Sequence, residues 1–175
     1  MATPMPSEAD LYKIFGAADK DRSGQISAEE LQKALSNGTW EPFNMKLIKM
    51  MIGMFDRDGS QTIDYNEFKQ LWKFINDWLN CFRQYDADRS GSIAKHELNH
   101  ALNSFGYRLS ESTYHLLMKK FGDPTGQSII FDNFLLLCVT LQGATSAFSA
   151  FDVERKGEIK ISYEQFLNTI FPLVA

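Results

Sequence analysis

Apolar residues recur every three or four positions through most of this chain, a spacing typical of amphipathic α-helices. The segment 68–85, FKQLWKFINDWLNCFRQY, shows it most clearly, because its apolar side chains form two stripes on one helix. The first stripe contains Phe68, Leu71, Trp72, Ile75, Leu79 and Phe82, and the second contains Phe74, Trp78, Cys81 and Tyr85. A helix with two apolar faces is predicted to pack between two neighbours.

Other helices are marked by their caps and by the turns between them. Ser7 is placed to cap a first helix whose apolar residues are Leu11, Ile14, Phe15 and Ala18. The segments 36–44 and 104–112, SNGTWEPFN and SFGYRLSES, have the turn residues that separate two helices. Within the second of them, Ser110 is predicted to cap the next helix.

Between the helical segments one polar loop pattern occurs five times. The predicted loops are 19–30, 56–67, 86–97, 122–133 and 152–163, and the eighth position of each is isoleucine. The intervals between the loops alternate between long and short. A long interval holds two helices and a turn, whereas a short interval suits one unbroken helix that leaves one loop and enters the next. The pattern therefore predicts an all-α fold of five helix–loop–helix repeats with shared helices.

The first and third loops have the pattern of a calcium site. Calcium takes six to eight oxygens, which a 12-residue loop offers from positions one, three, five, seven, nine and twelve. Gly24 and Gly91 occupy position six, where the chain turns sharply through positive φ. Ser27 and Glu30 also have the spacing of a capping box. The predicted metal ligands are Asp19, Asp21, Ser23, Gln25 and Glu30 in the first loop and Asp86, Asp88, Ser90, Ser92 and Glu97 in the third.

The second loop has a similar oxygen set, but Gln61 replaces glycine at position six. A non-glycine residue at positive φ costs on the order of 1 kcal/mol, or about five- to tenfold in affinity. Calcium binding at this loop is therefore left open. Its candidate ligands are Asp56, Asp58, Ser60, Thr62 and Glu67.

The fourth and fifth loops depart further from the pattern. Gly122 at position one and Asn133 at position twelve leave the fourth loop without either anchoring carboxylate, so we expect no calcium there. In the fifth loop, Asp152 and Glu154 are weak candidate ligands, and Lys156 at position five opposes a cation. Tyr163 occupies its position twelve.

Composition and charge exclude several other classes of protein. The net charge is −4 with no basic run, which disfavours nucleic-acid binding. Cys81 and Cys138 have no paired spacing, and the start MATPMPSEAD has no secretory pattern, so we expect free thiols and a cytoplasmic protein. The most apolar run is interrupted at Gln142 and Gly143, well short of a membrane span. The sequence shows no arrangement of a nucleophile and a base that would suggest an enzyme.

These loops, together with the segments DKDRSG, MFDRD, LWKFINDW, FGYRLS and ISYEQF, resemble the penta-EF-hand family, and within it an apoptosis-linked calcium adaptor. The resemblance covers about residues 8 to 173. It implies a single all-α domain over 8–175, after a short tail 1–7, in which five EF-hands share helices and paired loops meet in short β-bridges. Of the long N-terminal tail rich in Gly and Pro that is typical of the family, this sequence has only MATPMP, and whether this short tail is native is left open.

Pairing between loops leaves the fifth hand without a partner. Ile26 can pair with Ile63 and Ile93 with Ile129, whereas Ile159 has no isoleucine left to pair with in the same chain. Because the following helix is too apolar to face water, the sequence predicts a homodimer, or a heterodimer with another penta-EF-hand chain, through the fifth hand. The predicted dimer residues are Ile159, Phe166, Ile170 and Phe171.

The resemblance further implies a peptide-binding switch. In the family, calcium at the third hand moves the arginine that matches Arg108 and opens an apolar pocket for Pro-rich segments of target proteins. The matching pocket residues are Trp40, Phe68, Trp72, Trp78, Phe105, Phe131, Leu141 and Tyr163. Targets in vesicle trafficking, endosomal sorting or membrane repair follow from the resemblance, as do peripheral membrane association and recruitment to endomembranes or the nucleus.

The leading hypothesis is therefore a non-catalytic calcium sensor and adaptor with Ca²⁺ as its cofactor. One alternative is a regulatory subunit of a larger enzyme, such as a calpain-type protease. Another is a plain calcium buffer. For the aromatic residues, a purely structural role in the core is the competing interpretation.

Overall fold

The structure, a computed structural model, describes residues 5–35 and 42–174, with the side chains described as far as Phe171. Its helices are α1 (Glu8–Ala18), α2 (Ala28–Ala34), α3 (Met45–Phe55), α4 (Tyr65–Tyr85), α5 (Lys95–Ser104), α6 (Glu111–Phe121), α7 (Phe131–Ser149) and α8 (Tyr163–Val174). Two short strands are present, β1 (Ser92–Ala94) and β2 (Ser128–Ile130). This is the predicted all-α architecture. Within the described residues, no helix is both long and apolar enough to cross a bilayer.

Helix ends lie where the polar residues predicted them. The side chain of Ser7 accepts from the amide of Asp10 at the start of α1, and Ser110 accepts from Thr113 at the start of α6. Ser27 and Glu30 form the predicted capping box at the start of α2. Each cap satisfies an amide group that has no partner within its helix, which fixes where the helix begins.

Neighbouring loops pair through their eighth residues, as predicted. Ile26 and Ile63 form an isolated antiparallel bridge, and Ile93 lies opposite Ile129 in the β1–β2 pair. All four side chains are fully buried. Burial of an isoleucine contributes about 2 kcal/mol, so each pair of loops is anchored by its backbone bonds and by its side chains together.

The helix α4 is the shared helix predicted between the second and third loops. It begins at a capping box formed by Asp64 and Glu67 and continues unbroken to Tyr85. Phe68 on its buried side contacts Phe15 of α1, with ring centroids 5.5 Å apart. Near its other end Phe82 contacts Phe131, also at 5.5 Å. One helix therefore packs against elements of both pairs of loops.

The described residues up to Leu135 form one compact unit, and those from Leu136 onward form a second. The first unit contains the four loops of the two pairs. The second contains the end of α7, the fifth loop and α8. The single domain over 8–175 stays a prediction.

The fifth loop has a different register from the predicted one. In the first hand the capping residue, Ser27, is at position nine. In the fifth hand Ser162 takes this role at position eleven, because it accepts from the amide of Gln165 at 3.2 Å while its own amide donates to the Gln165 side chain at 2.8 Å. Counted from the helix, Ile161 rather than Ile159 precedes the cap. The prediction of a 12-residue loop ending at Tyr163 is corrected accordingly.

Gly122 permits a close backbone approach at the start of the fourth loop. A Cβ atom built there would lie 2.3 Å from the carbonyl oxygen of Met118, which belongs to the backbone and cannot turn away. We expect Gly122→Ala to lower the free energy of unfolding by about 2 kcal/mol in urea denaturation, as overpacking does. Gly53→Ala is the matched control, because nothing lies within 4 Å of its Cβ position in α3. That control should raise stability by about 0.5–1 kcal/mol; equal stability of the two variants would contradict the steric explanation.

Candidate metal centres

Three groups of carboxylates come together in the first three loops. Within each group, one oxygen from every residue lies within 4.8 Å of the others. The groups are Asp19, Asp21 and Glu30; Asp56, Asp58 and Glu67; and Asp86, Asp88 and Glu97. Each connects the end of one helix to the first turn of the next, so the loops position the carboxylates and the helices fix their separation.

The carboxylate at position one is held by amides of its own loop. Asp19 accepts from the amides of Ser23 and Gly24, both at 3.0 Å. Asp86 accepts in the same way from Ser90 at 2.9 Å and Gly91 at 3.0 Å. These bonds orient the carboxylate toward the centre of the loop before any cation is bound, which reduces the ordering cost of binding.

The glutamate at position twelve has the same contacts in all three loops. Glu97 accepts from Ala87 at 2.8 Å and from Ala94 at 2.9 Å, and it is 4% exposed. Glu67 accepts equivalently from Arg57 at 2.7 Å and Asp64 at 2.9 Å. Glu30 accepts from Lys20 and Ser27, both at 2.9 Å. One oxygen of each glutamate therefore faces the loop's second residue and the other faces its ninth.

Hydrogen bonds within the loops keep the carboxylates ionised. The Ser23 hydroxyl beside Asp21 and the Ser60 hydroxyl beside Asp58 lower the pKa of these two side chains. The amide of Ser90 lowers the pKa of Asp88 in the same way, and the amide of Ser27 lowers that of Glu30. Since only the ionised forms bind a cation strongly, their ligand state extends to more acidic pH than in an unfolded chain.

The remaining predicted ligands lie beside these carboxylates. The hydroxyl of Ser23 donates to the carbonyl oxygen of Gln25 at 2.9 Å, and Ser90 donates to the carbonyl of Ser92 at the same distance. Positions five and seven of each loop are therefore adjacent. In the second loop the Ser60 hydroxyl pairs instead with the Thr62 hydroxyl, at 2.8 Å. Thr62 also donates to the side chain of Gln25 at 2.7 Å, which links the first and second loops directly.

The second loop is no more strained than the others. Gln61 has a positive φ of 61°, as predicted, but Gly59 at position four has a φ of 76°. In the first and third loops the glycine is at position six, and position four is Arg22 or Arg89 with a φ of 59°. Each loop thus has one glycine and one other residue at positive φ. The conformational free energy that Gln61 costs in the second loop is therefore matched by Arg22 in the first loop and by Arg89 in the third. Gln61 gives no reason for weaker binding at the second loop.

The fourth loop satisfies itself without a cation. Asp123, at position two, accepts from the amide and the hydroxyl of Thr125 at 2.9 and 2.6 Å and from the hydroxyl of Ser128 at 2.9 Å. The Thr125 hydroxyl is the main reason that the pKa of Asp123 is lowered to about 2. Asn133 at position twelve bonds to Asn44 of another hand. No acidic cluster forms in this loop among the described residues.

The fifth loop keeps only part of the pattern. Asp152 accepts from the amides of Lys156 and Gly157, both at 2.8 Å, like the position-one carboxylates above. Glu154 forms an ion pair with the ammonium of Lys156 instead of lying beside Asp152 in an acidic cluster. The weak candidate ligands are thus present, but the ammonium of Lys156 neutralises one of them, Glu154.

The donor set of the first three loops fits calcium. It consists of carboxylate, hydroxyl and carbonyl oxygens, the ligands of a hard cation, in loops that bring more than one carboxylate together. Three carboxylates this close repel one another, and a divalent cation among them would remove the repulsion.

Comparisons with known proteins agree with this geometry. A family model described as an EF-hand domain pair matches residues 8–73, and one described as an EF-hand domain matches residues 77–106. The chain is 47% identical to sorcin from Schistosoma japonicum, over 94% of this chain and 95% of that protein. The chain belongs to the penta-EF-hand family. It is a calcium-binding EF-hand protein, as its sequence predicted.

Two further penta-EF-hand relatives extend the comparison. Human peflin is 41% identical over 94% of this chain, but the match spans only 58% of peflin. A solved structure of a homologue of programmed cell death 6 protein from Leishmania major Friedlin has a TM-score of 0.80 and 32% identity, with 94% of each chain covered. The fold is therefore shared with that of an experimentally determined relative.

The predicted peptide-pocket residues have different environments. In the first unit Phe68 and Phe131 are buried, Trp72 and Trp78 are half-buried, and Phe105 and Arg108 are exposed. In the second unit Leu141 is half-buried and Tyr163 is exposed. Trp40 lies outside the described residues. Phe68 and Phe131 are thus core residues in this conformation, while Trp78 and Phe105 contact each other at 6.2 Å on the surface of the first unit.

The predicted dimer residues belong to the second unit. Phe166 and Phe171 are exposed, at 47% and 60%. Ile159 and Ile170 are half-buried. Among the described residues, Ile159 forms no β-bridge, unlike the position-eight isoleucine of the other four hands.

Of the site residues missed from the sequence, only Gly59 had a signal there. Gly59 was visible two positions before Gln61, and a glycine displaced within a loop could have been interpreted as a displaced positive φ. Asp132 and Asn44 had no signal, because their contact joins residues that are far apart in the chain.

The number of calcium ions bound should follow the three clusters. We expect calorimetry to give three sites, and Glu30→Gln, Glu67→Gln and Glu97→Gln each to remove one, because each deletes the bidentate ligand. Glu154→Gln is the control and should leave the number unchanged, since Glu154 pairs with Lys156. If Glu67→Gln leaves the stoichiometry intact, the second loop is not a calcium site.

Proposed function

We propose that this chain is a calcium sensor and adaptor that switches the binding of Pro-rich target proteins in vesicle trafficking, endosomal sorting or membrane repair. It would act in the cytoplasm, with recruitment to endomembranes. The observation that carries the proposal is a partly exposed aromatic surface at the far end of the helix that leaves the third loop, with its exposed ring at Phe105. This surface consists of Trp78, Tyr85 and Phe105.

One rigid helix connects the third loop to this surface. The ligand Glu97 lies in the first turn of α5, and Phe105 caps the other end of the same helix. Phe105 is 37% exposed, and the centroid of its ring lies 5.6 Å from that of Tyr85 and 6.2 Å from that of Trp78. A shift of α5 when Glu97 closes around a cation would therefore alter the spacing of these rings.

The surface has the chemistry that Pro-rich segments require. Such segments adopt an extended, preformed helix that lies across aromatic rings at low entropic cost. Arg108 is exposed three residues beyond Phe105, in the turn before α6, so its position also depends on how α5 ends. The arrangement supports a gate at this turn, in keeping with the family resemblance.

The fifth hand supports a separate proposal, that the chain forms a dimer with a second copy or with another penta-EF-hand chain. The segment around Ile159 and Ile161 has no β-partner among the described residues, and α8 exposes Phe166 and Phe171. Unpaired edges and exposed aromatic side chains beside them are the features that a twofold partner would cover.

Two other functions compete with the adaptor. A plain buffer would bind calcium without changing its apolar surface, and a dye for hydrophobic surface distinguishes it from a sensor. A regulatory subunit would be isolated together with a stoichiometric protease. The exposed ring of Phe105 favours the adaptor over the buffer, because a buffer has no need of it.

A labelled Pro-rich peptide should bind more tightly with calcium than without, by at least roughly tenfold, within the usual range of allosteric coupling. Glu97→Gln should remove the difference, because the third loop no longer closes, whereas Glu30→Gln, at a loop with no helix leading to Phe105, should retain it. Fluorescence anisotropy measures both. Equal peptide affinity in the two conditions would refute the sensor proposal.

Ile159→Asp and Ile161→Asp should each give a monomer in sedimentation velocity, because a carboxylate in an interfacial strand would be buried without a partner. Lys160→Asp is the control, since Lys160 is exposed between them and alternates to the other face. A dimer that survives both isoleucine substitutions would place the interface elsewhere.

A further inference from the structure

The fourth loop makes contacts that the three calcium loops do not make. Its last two residues bond to the start of α3, in the second hand. The amide of Asn44 donates to Asp132 at 2.8 Å, and the side-chain amide of Asn44 donates to Asn133 at 2.9 Å. We call these two bonds the Asn44 tether. Asp132 is 2% exposed, whereas Asn44 and Asn133 are half-buried, so the tether is partly buried in the first unit.

Both the nitrogen and the oxygen of the Asn44 side chain are hydrogen-bonded. While its nitrogen donates to Asn133, its side-chain oxygen caps α3 by accepting from the amides of Lys46 and Leu47 at 3.0 and 3.4 Å. The first turn of α3 is therefore built directly on the first turn of α7. Phe43 reinforces this junction, because it is 1% exposed and its ring contacts Phe131 at 6.2 Å.

The same positions have another task in the calcium loops. There the residue at position twelve, for example Glu97, accepts from amides of its own loop. In the fourth loop Asp123, at position two, accepts hydrogen bonds from Thr125 and Ser128 of the same loop. Positions eleven and twelve, Asp132 and Asn133, bond instead to a different hand. The loop has exchanged an internal cation ligand for an external contact.

A short path connects the tether to the third loop. Ser92, whose carbonyl is a predicted ligand of that loop, lies opposite Ile130 in the β1–β2 pair. Phe131 and Asp132 follow Ile130 directly as the start of α7. Any rearrangement of the third loop at Ser92 thus reaches the residues that hold Asn44 through one backbone pairing and two peptide bonds.

Burial makes the tether a stiff connection. The acceptor of the Asn44 amide is a carboxylate that is 2% exposed, so separating the two groups would remove a hydrogen bond from the buried Asp132, which is unfavourable. Movement of the first turn of α7 must then be followed by α3, which leads into the second loop at Asp56. A stiff polar contact between two elements is a physical means of coupling two sites.

We propose that the fourth loop is a mechanical link that transmits the filling of the third loop to α3, and thereby to the second loop, through the Asn44 tether. The loss of the calcium ligand at position twelve is then a condition for this role, because a side chain engaged with a cation there could not also accept from the Asn44 side chain, as Asn133 does. The proposal needs only that the third loop binds calcium, and it is independent of Pro-rich targets.

The link can be isolated by NMR in a protein whose first two loops are disabled by Glu30→Gln and Glu67→Gln. As calcium is added, the amides of Ser92–Ala94 should shift as the third loop fills, and those of Lys46 and Leu47 should shift with the same calcium dependence. Adding Glu97→Gln should abolish both responses. This background is needed because α3 would otherwise respond to the second loop itself.

Two substitutions remove the same side-chain bond of the tether from opposite ends. Asn133→Ala deletes the acceptor, and Asn44→Ser keeps a helix cap but deletes the donor. In each, the shift at Lys46 and Leu47 should be reduced while that at Ser92–Ala94 remains, because one of the two tether bonds, from the Asn44 amide to Asp132, is kept. The double variant should resemble either single variant, because both act on one interaction. Ser110→Ala is the control, since it removes a helix cap that joins no second hand, and it should leave both responses intact.

Three results would overturn the proposal. One is an undiminished response of α3 in Asn133→Ala and Asn44→Ser. Another is an unresponsive α3 in the parent protein while Ser92–Ala94 shift. The last is the absence of any shift at Ser92–Ala94, which would remove the third loop as the origin of the signal. A failure of peptide binding, by contrast, would refute the adaptor proposal and leave this one untouched.

Discussion

Ile26 and Ile63 exchange two backbone hydrogen bonds of 2.8 and 2.9 Å, and Ile93 lies opposite Ile129 in the same antiparallel manner. This pairing is what the first unit depends on. It fixes the distance between neighbouring loops, buries four isoleucine side chains, and places position seven of one loop next to its partner. Since each loop also joins two helices, pairing the loops sets how those helices meet. The contact between Gln25 and Thr62 exists only because of it.

The carboxylates are arranged against their own repulsion. Three of them within 4.8 Å would separate in a flexible chain, but amides at positions two, five, six and nine hold them in place. The hydrogen bonds of the loop orient the ligands, and a bound cation would balance their negative charge. This division of work explains why one loop tolerates Gln61 at position six, provided that Gly59 relieves the backbone at position four.

The two divergent hands show what becomes of a loop once it is released from binding a cation. In the fourth, Asp123 ties the loop together from a new position, and the chain after β2 contacts another hand. In the fifth, the helix cap moves two positions to Ser162, which leaves a longer loop and two isoleucines without a β-partner among the described residues. The fourth loop keeps the pairing isoleucine, Ile129, and the fifth has isoleucine at 159 and 161. The helix–loop–helix geometry is thus retained in both hands although their calcium ligands are incomplete.

Periodicity, loop spacing and capping residues by themselves determined the helices, the shared helix α4, the pairing of Ile26 with Ile63, and the three acidic loops. These features are local or repeat at fixed intervals, so each is specified by residues close together in the chain. The tertiary structure alone decided that Asp132 holds Asn44, that Phe68 and Phe131 are core while Phe105 is exposed, and that the fifth loop is longer. An aromatic residue suits a core and a surface groove equally well in a sequence. Only packing, which joins residues far apart in the chain, chooses between them.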